Sequence, residues 1–107
     1  MINHRDVEEY IFSLPNVRLD YPFGKKVAVY KANEKMFALI QEGSNPIQLS
    51  LKCDPHLSLV LREKYETVMP GYHLNKKHWN TVVLTGQLSL EEIQGLILHS
   101  YNLVAGE

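Results

Sequence analysis

The chain of 107 residues has only one cysteine, Cys53, and no long apolar run. One cysteine cannot form an internal disulfide, and this favours a reducing compartment. No apolar stretch approaches the roughly 18 residues that a membrane-spanning helix needs. The chain starts with polar residues, Asn3 to Asp6, where a secretory signal would have an apolar segment. We therefore expect a cytoplasmic protein that makes no contact with a membrane.

Neither sign of charge is in large excess. The chain has 11 Lys and Arg against 12 Asp and Glu, a net charge of −1, so its total charge does not indicate a nucleic-acid binder. The distribution is uneven, because residues 22–80 carry nine basic and five acidic groups. Acidic groups outnumber basic ones in both flanking segments. The middle of the chain is therefore basic and its ends are acidic.

Sequence motifs of common catalytic and metal sites are also missing. The chain has no glycine-rich phosphate loop and no nucleophile elbow. Cys53 lacks a His/Asp arrangement at protease spacing and is interpreted as a small buried residue. His73 and His78, five residues apart, do not share one side of a helix, and no carboxylate or cysteine lies between them. We expect no catalytic residue, no metal and no cofactor; a small enzyme would be favoured if both histidines lined one pocket beside Lys76.

Three helices are predicted from apolar residues at helical spacing and from their N-terminal caps. Asn3 is the expected cap of the first helix, Asp54 of the second and Ser89 of the third. Arg62 of the second helix is expected to face solvent. The residues expected to form the buried stripe of the second helix are Leu57, Val60, Leu61 and Tyr65.

Four strands are predicted, at residues 25–32, 35–41, 47–52 and 80–84. The first two flank Asn33-Glu34 and indicate a hairpin. With the helices they give the order α-β-β-β-α-β-α in one domain over residues 1–107. This order is typical of an α+β two-layer sandwich, an antiparallel sheet with helices on one face.

The sheet face without helices is a candidate binding surface. Residues 47–52 alternate between apolar and polar side chains, so Gln48, Ser50 and Lys52 share this face. We expect a flat polar surface, which is equally compatible with an ordinary solvated sheet face.

The densest polar motif is GYHLNKKHWNTVVLT, residues 71–85. In one interpretation Trp79 is a core anchor and Asn75 caps a short turn. In the other, Lys76 and Lys77 neutralise phosphates, while Asn75 and His78 hydrogen-bond to phosphate or base edges and His73 or Trp79 stacks on an unpaired base. We expect both to hold in part, with Trp79 and Leu74 as anchors and with the lysines, Asn75 and one histidine facing outward.

The motifs together resemble the MmcQ/YjbR family over nearly the whole chain. PGYHLNKKHWNTV follows the pair Leu61-Arg62 and precedes Ser100-Tyr101, and the segments Leu14-Pro15, Pro22-Phe23-Gly24 and Met36-Phe37-Ala38 add further matches. The resemblance implies a fold similar to that of frataxin, the CyaY-like fold. It also implies a "double wing" mode of DNA binding.

DNA binding without catalysis is therefore the leading hypothesis, with phosphate contacts made by two protruding wings. A protein-interaction or scaffold domain that uses the helix-free sheet face is the alternative. The expected DNA-binding residues are Lys25, Lys26, Lys31 and Lys35 on one wing, His73, Asn75, Lys76, Lys77 and His78 on the other, and Lys52 on the sheet face.

Overall fold

The computed structural model describes residues 2–106 and contains three helices and six strands within them. No helix in this range is long and apolar enough to span a membrane. In chain order the elements are α1 (His4–Ser13), β1 (Arg18–Asp20), β2 (Val27–Ala32), β3 (Lys35–Gln41), β4 (Gln48–Lys52), α2 (Pro55–Lys64), β5 (Val68–Pro70), β6 (Trp79–Val83) and α3 (Leu90–Ala105).

The six strands form one antiparallel sheet in the order β1-β2-β3-β4-β6-β5. All three helices pack on one face of this sheet. Ile11 of α1, Leu61 of α2 and Ile97 of α3 belong to the same apolar cluster as Tyr30 and Leu49 of the sheet. The predicted α+β sandwich with helices on one face is confirmed.

Strands β1 and β5, at the two edges of the sheet, were not predicted. Each has three residues, which is too short for a period-two pattern to be recognised in the sequence. All three residues of β1 are exposed, so no apolar residue marks its buried side. Both strands exist because a longer neighbour, β2 or β6, offers them a free row of backbone hydrogen-bonding groups.

Local signals placed the hairpin and the helix starts correctly. Asn33 and Glu34 adopt positive φ angles of 55° and 62°, as a tight two-residue turn between β2 and β3 requires. The side chains of Asn3, Asp54 and Ser89 each accept a backbone N–H of the helix that they precede. These interactions lie within a few residues, so the sequence alone was sufficient to predict them.

The predicted buried stripe of α2 is partly wrong. Val60 is 45% exposed, and Ser58 is the residue of this helix that is fully buried. Since α2 packs near the end of the sheet, against β5 and β6, only a narrow side of it is covered. That narrow side contains Ser58 and Leu61 and excludes Val60.

Candidate functional site

The helix-free face of the sheet is concave, in contrast to the flat polar surface that was expected. Trp79 and Leu74 pack against Val29 and Leu39 and cover part of this face. The uncovered part is a pocket of about 300 Å³ with a predominantly apolar lining. The side chains that line it include Phe23, Leu39, Gln41, Gln48, Tyr72 and His73.

Two hydroxyl groups on adjacent strands lie on the pocket lining. Ser50 of β4 is paired with Thr81 of β6, and their side-chain oxygens are 2.8 Å apart. The Thr81 hydroxyl also accepts the backbone N–H of Tyr72 at 3.0 Å. This hydrogen bond holds the segment that follows β5 against the pocket. Ser50 and Gln48 therefore lie on the helix-free face as predicted, although Ser50 is buried.

Two loops flank the pocket. Residues 21–26, the first loop, contribute Phe23, and residues 71–78, the second loop, contribute Tyr72, His73 and Leu74. Phe23 and Tyr72 are 61% and 62% exposed, which is unusual for large apolar rings. Each loop also contains an exposed pair of lysines. The pairs are Lys25-Lys26 in the first loop and Lys76-Lys77 in the second.

The second loop is built on its own side chains. Asn75 Oδ1 accepts the backbone N–H groups of Lys77 and His78 at 2.9 and 3.3 Å, so the predicted cap is confirmed. Lys76 Nζ donates to the Gly71 carbonyl oxygen at 3.0 Å. Trp79 is only 7% exposed, and its predicted role as an anchor is confirmed. Every residue of this loop except Gly71 and Leu74 is exposed, including Lys76, Lys77 and His78.

Arg62 holds the second loop from the helix side of the sheet. Its Nε donates to Asn80 Oδ1 at 2.7 Å, and its Nη2 donates to the Trp79 carbonyl at 3.1 Å and to the Lys76 carbonyl. The expectation that Arg62 faces solvent is therefore wrong. Arg62 thereby satisfies the amide oxygen of Asn80, which is buried, and two carbonyl groups of the loop, because buried amides and carbonyls require partners.

The four lysines assigned to one wing do not form a single cluster. Lys25 and Lys26 precede β2, whereas Lys31 and Lys35 lie at its other end, roughly 17 Å away along an extended strand. Lys31 Nζ contacts Asp20 Oδ2 at 3.3 Å. A backbone hydrogen bond from Tyr21 and the contact with Lys31 lower the pKa of Asp20. Only Lys25 and Lys26 thus belong to a loop at the pocket.

Lys52 lies at the last position of β4, where it pairs with Trp79 of β6. It is half-buried and does not line the pocket. By the alternation of β4 it shares the helix-free face with Ser50. Lys52 is therefore placed beside the second loop and away from the first.

Charge is segregated between the helices and the rest of the structure. The three helices contain six carboxylates and three basic groups, a net charge of −3. The strands and loops of residues 2–106 contain five carboxylates and eight basic groups, a net charge of +3. An anionic partner would therefore be attracted to the strands and loops rather than to the helices.

The polar groups at the pocket do not resemble a catalytic set. His73 lines the pocket but His78 does not, so the two histidines do not share it. Burial raises the pKa of the Cys53 thiol, which keeps it in the less nucleophilic protonated form. Within residues 2–106 no three His, Cys, Asp or Glu side chains are grouped as metal ligands. The arrangement provides apolar surface, amides and flanking cations, which are suited to binding.

Comparison with known proteins places the chain among relatives of the same fold. The family model described as YjbR matches residues 12–103. The YbdF protein of Escherichia coli O157:H7 is 38% identical over 101 residues, which cover 94% of this chain and 83% of YbdF. The YjbR protein of Escherichia coli K12 is 34% identical over 93 residues, which cover 87% of this chain and 79% of YjbR.

Solved structures agree. The Deinococcus radiodurans protein DR2400, described as a DUF419 domain, superposes with a TM-score of 0.91 at 36% identity, covering 96% of this chain and 78% of that one. A Pseudomonas syringae protein superposes with a TM-score of 0.82 at 33% identity, covering 96% of this chain and 99% of that one. These similarities establish the fold and leave the activity to be argued from the site.

Proposed function

Because this chain belongs to the YjbR family, whose fold presents a helix-free sheet face, we propose that it binds DNA through that face and the two loops flanking it. Lysines of both loops contact phosphates, and the pocket between the loops receives part of the nucleic acid. The role is binding without catalysis.

One observation carries the proposal. The two loops lie at different ends of the chain segment 21–78, yet both reach the same pocket, and each brings an exposed aromatic ring together with an exposed pair of lysines. Lysine neutralises phosphate and aromatic rings stack on bases, so this pairing of residue types suits a nucleic acid. The net positive charge of the strands and loops supports it further, because the helices carry the opposite net charge.

The loop lysines differ in their freedom to bind phosphate. The Nζ groups of Lys25, Lys26 and Lys77 have no hydrogen bond or ion pair within residues 2–106. Lys76 donates one of its three N–H groups to the Gly71 carbonyl and retains the other two. Asn75 Oδ1 is occupied by the turn that it caps, so this side chain shapes the loop and contacts phosphate through its Nδ2 donors.

The test measures the affinity for a labelled mixed-sequence DNA duplex over a series of salt concentrations. We compare the wild type with Lys25→Ala/Lys77→Ala, which removes one free lysine from each loop. The log–log dependence of affinity on salt should become shallower by about two for this variant, because each lost phosphate contact lowers the slope by about 0.9. The matched control is Arg5→Ala/Lys64→Ala, which removes the same charge from the helices and should keep the wild-type slope.

Two results would count against the proposal. Wild-type protein that shows no binding near 50 mM salt at about 100 μM would exclude even non-specific binding. An equal loss of slope in the control would show that the helices, and not the two loops, contact the DNA.

A protein partner is the alternative for this face, since exposed Phe23 and Tyr72 beside an apolar pocket are also typical of interaction surfaces.

A further inference from the structure

We propose that the pocket on the helix-free face holds one unpaired nucleobase, so that the protein prefers a single strand to a duplex. This inference rests on the proposed function, because the same loops and lysines must bring the strand to the pocket. It adds the form of nucleic acid that is bound and the residues that select it.

The size of the pocket suits one base. Its volume of about 300 Å³ lies at the lower end of the range of small-molecule sites. A base within a duplex is stacked on both faces and paired along its edge, so it cannot enter a pocket without leaving the helix. A single strand presents such a base without that cost.

The rims of the pocket supply aromatic surface. Phe23 stands on one side, and Tyr72 with His73 on the other. The Tyr72 and His73 rings contact each other with centroids 4.0 Å apart and planes inclined by 52°, so they form one aromatic patch with two ring faces. Stacking on aromatic side chains is the usual way in which proteins hold unpaired bases, and it tolerates every base because each has a π face.

Two side-chain amides at the pocket are free to recognise the edge of a base. Gln41 of β3 and Gln48 of β4 both line it, and neither amide has a hydrogen-bond partner in the described part of the chain. Each amide offers two donors and an acceptor, which complement the edge of an unpaired base. The hydroxyls of Ser50 and Thr81 are already bonded to each other, so the two amides are the freer hydrogen-bonding groups of the lining.

The backbone of the second loop is held in the conformation that brings His73 to the pocket. His73 has a φ of 58°, in the left-handed region that non-glycine residues adopt at a cost. Hydrogen bonds from Tyr72 to Thr81 and from Gly71 to the Trp79 carbonyl fix the residues just before it. A conformation maintained against its intrinsic preference, beside an open pocket, favours a role in binding.

Charge complementarity selects a nucleic acid over an apolar peptide as the occupant. Lys25 and Lys26 adjoin one rim, and Lys76 and Lys77 follow the other along the chain. A base in the pocket would therefore be flanked by cations on both sides, as the phosphates before and after it require. An uncharged peptide would make no use of these four groups.

The test compares three ligands at one fixed salt concentration. They are a mixed-sequence 12-nucleotide single strand, the same strand with abasic sites at all internal positions, and the 12-base-pair duplex. The abasic strand keeps its phosphates and loses its bases. We expect the intact strand to bind roughly 5- to 150-fold more tightly than the abasic strand, the range measured for losing one base–aromatic stack. The duplex should bind less tightly than the intact strand.

Pocket variants locate the effect. Phe23→Leu and Tyr72→Leu keep apolar bulk and remove a ring, and both positions are exposed, so the fold should tolerate the change. Each should weaken binding of the intact strand several-fold without changing the salt slope, because no cation is lost. Phe12→Leu is the matched control, since Phe12 is a 46% exposed ring of α1, on the helix side of the sheet, and does not line the pocket. It should bind as the wild type does.

The outcomes separate this inference from the proposed function. Equal affinity for the intact and abasic strands, or a duplex bound as tightly as the single strand, would overturn the base pocket while DNA binding remains. A purine mononucleotide bound as tightly as the strand would overturn the strand as the occupant. Failure of all three nucleic acids to bind at low salt would overturn both the base pocket and the proposed DNA binding.

Discussion

The two faces of the sheet are built on opposite principles. On the helix side Tyr30, Phe37, Ile40 and Leu49 are completely buried under the helices. On the other face Trp79 and Leu74 cover only part of the sheet, and the remainder is an open pocket. The apolar residues of the first face stabilise the fold by their burial, whereas the second face leaves apolar surface available to a partner.

The treatment of polar groups differs in the same way. On the helix side the buried Ser100 hydroxyl donates to the Phe37 carbonyl, and the Tyr30 hydroxyl donates to Glu8 of α1. On the helix-free face the amides of Gln41 and Gln48 have no partner within residues 2–106. Gln48 is exposed and Gln41 is half-buried, so both amides are available at the open pocket for hydrogen bonds to a bound molecule.

The largest expected effect tests this contrast with the same substitution on the two faces. Leu49→Ala removes a completely buried side chain and leaves an enclosed cavity, so it should lower the free energy of unfolding by about 2–5 kcal/mol. Leu39 lies in the adjacent strand but lines the pocket, so Leu39→Ala enlarges an existing opening and should cost about 2 kcal/mol, the low end of this range. Urea unfolding of both variants measures the difference.

Equal losses for the two leucines would break the comparison. They would mean that the helix-free face is as tightly sealed as the helix side, and that the pocket is not open in solution. The slope of the free energy against urea should match the wild type in both variants, which confirms that the same folded and unfolded states are compared.

Features that depend on neighbouring residues in the chain were predictable. The helix caps, the β2–β3 turn and the Asn75 cap each involve residues at most three positions apart. Both partners of each interaction therefore lie in one short segment of the sequence, where the pattern can be recognised. The anchoring role of Trp79 was also predicted, because a large apolar ring at the start of a strand gains most by burial.

Features that depend on contacts between distant segments were not predictable. The exposure of Val60 depends on how far α2 extends beyond the sheet, and the partners of Arg62 lie 14 to 18 residues away. The pocket requires residues 21–26 and 71–78 to meet over the same strands, which no local pattern encodes. The candidate lysines were identified as residue types, and only the fold could separate Lys25 and Lys26 from Lys31 and Lys35.

The second prediction concerns Arg62, which connects the two faces of the sheet because it lies on the helix side and binds the carbonyls of the second loop. Arg62→Met keeps the apolar stem and removes the hydrogen bonds to Asn80 and to the loop carbonyls. Leaving the buried Asn80 amide oxygen without this donor should lower the free energy of unfolding by about 2–3 kcal/mol. Amide hydrogen exchange at Leu74 and His78 should also become faster, since their loop loses its support from α2.

Lys64→Met is the matched control for Arg62→Met. It removes a basic group from the same helix, at an exposed position whose nitrogen lies over the Tyr65 ring. Exchange in the second loop should be unchanged in this variant. Faster exchange in both variants would show that the loss of charge, and not the loss of the Arg62 hydrogen bonds, loosens the loop.

The smallest expected effect concerns two glycines, one on each side of the sheet. A methyl group on Gly71 would lie 2.6 Å from Trp79 Cβ, closer than carbon atoms can approach, whereas a methyl group on Gly95 of α3 would contact nothing within 4 Å. Gly71→Ala should therefore cost about 1–3 kcal/mol by displacing the second loop from Trp79. Gly95→Ala should instead add about 0.5–1 kcal/mol, because alanine favours the helix.

Thermal unfolding, followed by circular dichroism, measures the stability of both glycine variants. Their affinity for the single strand is a second measurement, which is specific to the site. If the second loop forms one wall of the pocket, Gly71→Ala should weaken binding beyond its effect on folding, while Gly95→Ala should bind as the wild type does. A destabilised Gly71→Ala protein with unchanged affinity would place the bound strand away from the second loop. That result would leave Lys25, Lys26 and Phe23 of the first loop as the principal contacts.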